Sequence, residues 1–250
     1  MSEILSSILK IAVAFGIALA CFVVFFVLLI ILCFVASFFV TKKEYEKQSK
    51  FYRWIVNTVC KFLPFYLGYN VRVEGGEKLP DGRFLLVANH CSMFDPLVIW
   101  NAFPEKDISF ISKPENIKIP FFGKIATRVC CLSIDRENPR NAITTINKAA
   151  ELLKNDVVSI GVYPEGTRNK GMEPLLPFHN GVFKIAQKAN VPIVVAVTEK
   201  TQEIKGSFLK NMTNVKITIC EVIPSKEIVG VPTADIAVRV QQDFLSVLDK

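Results

Sequence analysis

Residues 83–103 read RFLLVANHCSMFDPLVIWNAF. The run from Phe84 to Ala88 is apolar throughout, too short for a helix, and closed by Asn89. A short continuous apolar run bounded by turn residues is the mark of a strand buried on both faces. Asp95 and Pro96 then supply a helix cap and a first helical residue, opening PLVIWNAF. The stretch is thus a strand, a six-residue connection and a helix, the repeating unit of an α/β domain.

Outward from this unit the same alternation continues. YNVRVEG (69–75) precedes it as a strand, and ISFI (108–111) and VCCLSI (129–134) follow as short strands. Asn138 and Pro139 start a helix whose buried stripe is Ala142, Ile143, Ile146, Ala149, Ala150 and Leu153. VVSIGVYP (157–164) and PIVVAV (192–197) are buried strands around the helix NGVFKIAQKAN (180–190), and VKITICEV (215–222) ends the sheet. Thr233 caps a last helix with Ile236, Val240, Phe244 and Leu248 on one face. The expectation is an α/β domain over residues 68–250, its largely parallel sheet covered by helices on both faces. No internal repeat, low-complexity tract or interdomain linker interrupts it.

The N-terminal region is different in kind. Residues 11–40 carry no charge, and they account for much of the chain's 51% hydrophobic content. As a helix, 30 residues would run about 45 Å against a hydrocarbon core of about 30 Å. The segment must tilt, extend into the headgroups or fold back as a hairpin; it lacks proline and has only Gly16, which favours one long helix over 1–40. A secretory signal would have a shorter apolar region and a cleavage site, and none follows. Residues 41–67 form a second membrane element or a helix packed on its own domain: Phe51, Trp54, Ile55, Val59 and Phe62 recur at helical spacing, with lysines and Arg53 elsewhere on the wheel.

Glu3 and Lys10 cancel, so the net charge of +7 falls entirely after residue 40. Lys42, Lys43, Lys47 and Lys50 flank the apolar segment on one side, which predicts a membrane protein whose C-terminal domain lies on the cytoplasmic face. A basic domain held at a bilayer meets anionic headgroups or anionic substrates; no nucleic-acid motif is present, and a nucleic-acid partner is not expected. The seven cysteines are odd in number, scattered and free of CxxC or Cys/His metal spacing. They read as reduced thiols, and the Asn211 sequon would then meet no glycosylation enzyme.

Three loops carry candidate chemistry. His90 and Asp95 flank the first; in a helix an i,i+5 pair diverges by about 140°, so only a turn between strand and helix brings them together. A carboxylate on one imidazole nitrogen leaves the other to accept a proton; the alternatives are a plain helix cap at Asp95 or a nucleophile at Cys91 or Ser92. The second loop, YPEGTRN (163–169), leaves another strand end: Gly166 permits a tight turn, Thr167 and Arg168 suit a phosphate, and Glu165 can hold Arg168 or a neighbouring loop. The third, SKPENIKIPFFG (112–123), offers Lys113, Glu115 and Lys118 and a Pro–Phe–Phe–Gly segment suited to lining an acyl channel; Asp135 and Arg136 in LSIDR form another phosphate clamp or a charged loop.

Taken in order, NHCSMFD, SKPENIKIPFFG with SIDR, YPEGTR and VPIVVAV resemble the glycerolipid acyltransferase family, nearest the 1-acylglycerol-3-phosphate acyltransferases, over about residues 70–200. The resemblance implies a catalytic dyad at His90 and Asp95, and substrate contacts at Lys113, Arg136, Glu165, Gly166, Thr167 and Arg168. It implies acyl transfer from acyl-CoA or acyl carrier protein (co-substrates, with no cofactor and no metal) to the sn-2 hydroxyl of lysophosphatidic acid, giving phosphatidic acid. Another lysophospholipid, glycerol 3-phosphate, or water as acceptor are the alternatives. His179 lies outside the matching motif and is read as structural. The family's last block usually carries a second proline (PIxPV), and Val195 stands in its place here.

Overall fold

A computed structural model describes residues 2–41, 44–135, 137–171, 173–204 and 212–249. Lys42, Lys43, Arg136 and Asn211, all named above, lie outside the described residues. The chain forms two units, Met1–Thr41 and Lys42–Lys250. In the first, α1 (Ser2–Phe38) is one unbroken helix of 37 residues, so the hairpin alternative is not adopted. Ile4–Phe38 is long and apolar enough to cross a membrane by length and composition.

The second unit begins with α2 (Lys50–Leu67) and β1 (Tyr69–Glu74), followed by β2 (Leu85–Ala88), α3 (Asp95–Ala102) and β3 (Ile108–Ser112). Next come α4 (Pro114–Ile117), α5 (Phe122–Arg128), β4 (Leu132–Ser133), α6 (Pro139–Lys154) and β5 (Ser159–Val162). The chain ends with α7 (Lys184–Ala189), β6 (Ile193–Glu199), β7 (Thr213–Ile223) and α8 (Thr233–Leu248). One sheet in the order β1-β7-β6-β2-β5-β3-β4 results. Every neighbouring pair is parallel except β6 and β7. The expected parallel sheet therefore forms around a central β2, with β1 and β7 reversed.

Alternating strand residues feed two cores. Leu85 and Val87 of β2, Ile160 and Val162 of β5, and Ile193 and Val195 of β6 pack with α6, α7 and α8. On the other face Trp100 of α3 meets Phe110 of β3 edge-on, with ring centroids 5.6 Å apart. Asn101 of α3 donates to the Cys60 carbonyl of α2 at 2.9 Å, which binds the two helices of that face together. At about 1.5–3 kcal/mol for each fully buried aliphatic side chain, these two layers supply the main driving force of the domain.

Several sequence expectations shift once packing decides. Ile143, placed on the buried stripe of α6, is 60% exposed, and Leu152 is buried instead. VCCLSI pairs only through Leu132 and Ser133, because Cys130 at φ +64° turns the chain just before them. The α2 stripe splits: Ile55 packs inward with Tyr52, Val56 and Cys60, while Phe51, Trp54, Phe65 and Tyr66 face outward. Arg53, assigned to the polar side of that helix, is buried. It donates at 2.9 Å each to the Ile108 carbonyl, Ser109 Oγ and Gln48 Oε1, fastening α2 to the start of β3. Val195 lies beside a register shift between Val195 and Ala196 where β6 pairs with β7. The extra residue of that shift is Cys220 of β7, while Val195 itself stays paired with Val87 and Glu221.

Candidate active site

Because β6, β2, β5, β3 and β4 are mutually parallel, their C-terminal ends open on one edge of the sheet. Ligands of open α/β sheets bind at that edge. The connection after β2 turns His90 back onto the first residue of α3. His90 Nδ1 stands 2.7 Å from Asp95 Oδ2. The same Oδ2 accepts the amides of Cys91 at 2.8 Å and Ser92 at 2.9 Å, and Oδ1 accepts the hydroxyl of Thr201, which follows β6. Asp95 is wholly buried, and this full set of donors is what allows a carboxylate there.

An ionised carboxylate only accepts, so the proton of the imidazole sits on Nδ1 and the lone pair of Nε2 is the free one. The His90 side chain is 19% exposed, enough for a substrate proton to reach it. Asp95 does not cap α3: it is the first residue of that helix, and its carboxylate accepts two amides that precede the helix, Cys91 and Ser92, besides orienting His90. The surroundings of Cys91 and Ser92 do not favour a nucleophile. Burial, reinforced by the charges of Asp95 and Glu165, pushes the Cys91 thiol up to about 12, and the buried Ser92 Oγ accepts the Phe94 amide at 3.2 Å.

The YPEGTRN loop grips this constellation from the other side. Tyr163–Gly166 is a turn closed by the Gly166 amide on the Tyr163 carbonyl at 3.0 Å, with Gly166 at φ +73°. Glu165, expected among the substrate contacts, has both carboxylate oxygens engaged within the protein. Its side chain points inward, one oxygen accepting the His90 amide at 2.9 Å and the other the Leu176 amide at 3.1 Å. Burial raises its pKa above the ordinary carboxylate range against those two amide bonds. Asn169 then donates its amide to the His90 carbonyl at 2.7 Å, so both main-chain groups of His90 are held by this one loop. Thr167 and Arg168, between the two clamps, are exposed.

Lys113 is also exposed, at the end of β3 and before α4. Among the described residues neither Lys113 nor Arg168 takes part in an ion pair, which leaves two cations on this edge for an anion. Asp135 accepts the Glu137 amide at 3.1 Å. In the Pro–Phe–Phe–Gly segment and just before it, Ile119, Phe121 and Phe122 lie at the surface. A cavity of about 310 Å³ lies beneath the end of β5, lined by Ile111, Ile134, Ala142, Ile146, Val162 and Val182, with Tyr163, His179 and Asn180 also on its wall. Among the described residues no cluster of His, Cys, Asp or Glu has the makings of a metal site.

Sequence reasoning missed Thr201 and Tyr163. Thr201 was open to discovery, since any residue just past a parallel strand reaches the edge where its neighbours end. Tyr163 stacks on His90 at a centroid distance of 4.3 Å. Only its place beside EGTR hinted at that.

Comparisons with known proteins place the chain in a family. The family model described as Acyltransferase matches residues 70–199. The 1-acyl-sn-glycerol-3-phosphate acyltransferase of Saccharomyces cerevisiae is 33% identical over 139 residues, covering 55% of this chain and 46% of that one. The protein of that name from Haemophilus influenzae is 34% identical over 148 residues, covering 59% and 60%. The chain thus spans less than two thirds of the length of these curated relatives. The crystal structure of the 1-acyl-sn-glycerophosphate (LPA) acyltransferase PlsC from Thermotoga maritima superposes with a TM-score of 0.65 at 26% identity, covering 87% of this chain and 86% of that one.

Proposed function

The chain belongs to the acyltransferase family, and from that premise we propose that it moves a fatty acyl group from a thioester carrier to the sn-2 hydroxyl of 1-acylglycerol 3-phosphate, giving phosphatidic acid. The observation that carries this reading is His90 with Nδ1 fixed on Asp95 at 2.7 Å and its main chain clamped by the loop bearing Arg168. The acceptor phosphate binds Arg168 and Lys113, and Arg136 belongs to the same proposal from its motif alone. A bidentate guanidinium is suited to that task. The phosphate contact sets the free hydroxyl beside Nε2.

His90 takes the hydroxyl proton as the oxygen attacks the thioester carbonyl, and Asp95 stabilises the imidazolium that develops. When the tetrahedral intermediate collapses, the carbon–sulfur bond breaks and His90 returns the proton to the departing thiolate. The cavity under β5 takes the donor's acyl chain, since most of its lining is aliphatic and Tyr163, on its wall, stacks on His90. Acyl-CoA and acyl carrier protein both supply the required thioester. The α1 helix and the outward aromatic residues of α2 hold the domain at the bilayer, and the lysines after α1 put it on the cytoplasmic face.

The test is acyl transfer from radiolabelled acyl-CoA to lysophosphatidate in vesicles, comparing wild type with His90→Ala. Labelled phosphatidate from the wild type and near-complete loss in the variant, at equal membrane insertion, are expected. Undiminished transfer by His90→Ala would sink the mechanism, and free fatty acid in place of phosphatidate would make the enzyme a thioester hydrolase. If wild type is silent with acyl-CoA, repeating the assay with acyl carrier protein separates a wrong donor from a wrong acceptor.

A further inference from the structure

Three aromatic rings form a column that ends on the catalytic imidazole. Trp100 meets Phe110 edge-on at 5.6 Å between centroids, and Phe110 lies parallel to Tyr163 at 5.6 Å and 4°. Tyr163 in turn lies against His90 at 4.3 Å and 18°. The base of the column is fixed where Trp100 Nε1 donates to the Ile108 carbonyl at 2.6 Å. Its middle depends on Gly161, the β5 residue two before Tyr163 and therefore on the same face of the sheet. A methyl group at Gly161 would stand 2.4 Å from Phe110 Cε1, so glycine alone leaves the ring its place.

The hydroxyl of Tyr163 is buried and, among the described residues, meets no hydrogen-bond partner. A buried hydroxyl without a partner costs stability instead of adding to it. What the site draws from this side chain is therefore its ring face. The need for such a face follows from the geometry of His90. One hydrogen bond to Asp95 fixes one edge of the imidazole, but the ring can still tilt about the Nδ1···Oδ2 axis and swing Nε2 away from the acceptor. A parallel ring against its face removes that tilt. The same π face attracts the imidazolium that forms when Nε2 takes the proton.

We propose that Tyr163 is a positioning residue for His90, backed by Phe110 and Trp100 and seated by Gly161, a role that rests on the acyl-transfer reading above. It acts through the imidazole and has no contact of its own with the reacting atoms. The consequence is a kcat effect tied to aromaticity and not to the phenol.

Two variants test it in the full chain, in vesicles. Tyr163→Phe keeps the ring and is expected to retain kcat within about two-fold. Tyr163→Leu is expected to lower kcat by about 10- to 100-fold, the scale of a roughly 1 Å misplacement, with KM for both substrates within about two-fold. Wild-type kcat in Tyr163→Leu overturns the proposal. So does a Phe variant as damaged as the Leu variant, or a loss that resides in KM. A second measurement needs no turnover. The chain has two histidines, so ¹³C-histidine labelling in a His179→Gln background leaves His90 as the one labelled ring. Its ring protons should be displaced upfield by Tyr163 and by Phe at that position, and return in Tyr163→Leu. Absence of that displacement in the Tyr163 protein overturns the stack itself. Its presence in a protein that transfers no acyl group overturns the reaction assigned above while the stack stands.

Discussion

The loop that leaves β2 and the loop that leaves β5 meet at His90, yet they are built on opposite lines. In the first, the carboxylate is spent wholly inside the protein: Asp95 accepts from His90 Nδ1, the Cys91 and Ser92 amides and the Thr201 hydroxyl, and it is wholly buried. In the second, Glu165 and Asn169 are spent on holding His90, while Thr167 and Arg168 between them stay exposed. On the proposed function, the difference separates two tasks. A base must have a fixed tautomer and direction, which a buried hydrogen-bond network supplies. A group that receives a charged headgroup arriving from a bilayer must keep its charge unspent until the ligand comes.

If this division holds, damage to the first loop should appear in kcat. Asp95→Asn is the harshest test. Asparagine carries donors of its own, so it cannot accept from four donors at once, and the imidazole is left free to reverse its tautomer. A loss of roughly 10³–10⁴ in kcat is expected, by analogy with the oriented imidazoles of other enzymes, with the KM for lysophosphatidate little changed. A kcat within ten-fold of wild type in steady-state assays would mean that the carboxylate only braces the turn before α3.

Damage to the second loop should appear in binding. Arg168→Ala removes a charge-assisted contact worth about 1.5–3 kcal/mol, which is roughly 10- to 100-fold, and is expected to raise the KM for lysophosphatidate while kcat changes little. Arg168→Lys should restore part of the loss, since it keeps the charge without the fork. An Arg168→Ala defect confined to kcat would break the distinction between the loops.

Most of the scaffold and the centre of the site were legible in the sequence, for a local reason. The apolar runs of β2, β5 and β6 and the His90–Asp95 spacing are each contained within a dozen residues, so periodicity and loop geometry suffice. Thr201 meets Asp95 across 106 residues of chain, and Asn89 ties the end of β2 to Thr198 of β6, its Oδ1 accepting the Thr198 amide at 2.7 Å. Such partners follow from strand order, which no local pattern states. Ile143 and the split stripe of α2 have a related cause: an apolar stripe shows that a helix has a face, but the neighbours it packs against decide which of its residues lie inside. Glu165 was legible as a residue that holds something, and what it holds is the main chain of His90.

That distant hydroxyl gives a smaller test on the first loop. Thr201→Val keeps the shape of the buried side chain and removes the donor to Asp95 Oδ1, leaving that oxygen unpaired. A fall in kcat of about 10-fold and a stability loss of about 1–3 kcal/mol are expected. Retention of both, measured by turnover and by denaturant unfolding of the detergent-solubilised protein, would show that the two amides and His90 satisfy Asp95 without it.

The smallest effect concerns the residue that belongs to both loops. Burial raises the Glu165 pKa in the folded chain above its unfolded value. A group shifted in that direction adds stability at pH below its unfolded pKa and loses it as pH rises through the folded value. The wild-type domain should therefore lose a component of stability through the weakly acidic range, and Glu165→Gln, which cannot ionise, should show a flatter slope there. The substitution has a second consequence, because glutamine offers one acceptor where Glu165 uses two. Either the His90 amide or the Leu176 amide is left facing an NH₂ group, and a modest kcat loss should accompany the flatter slope if the His90 side is the one that gives way. An unchanged slope with an unchanged kcat would mean that the two amide bonds already offset the cost of burying this charge, and that Glu165 is replaceable as the clamp between the loops.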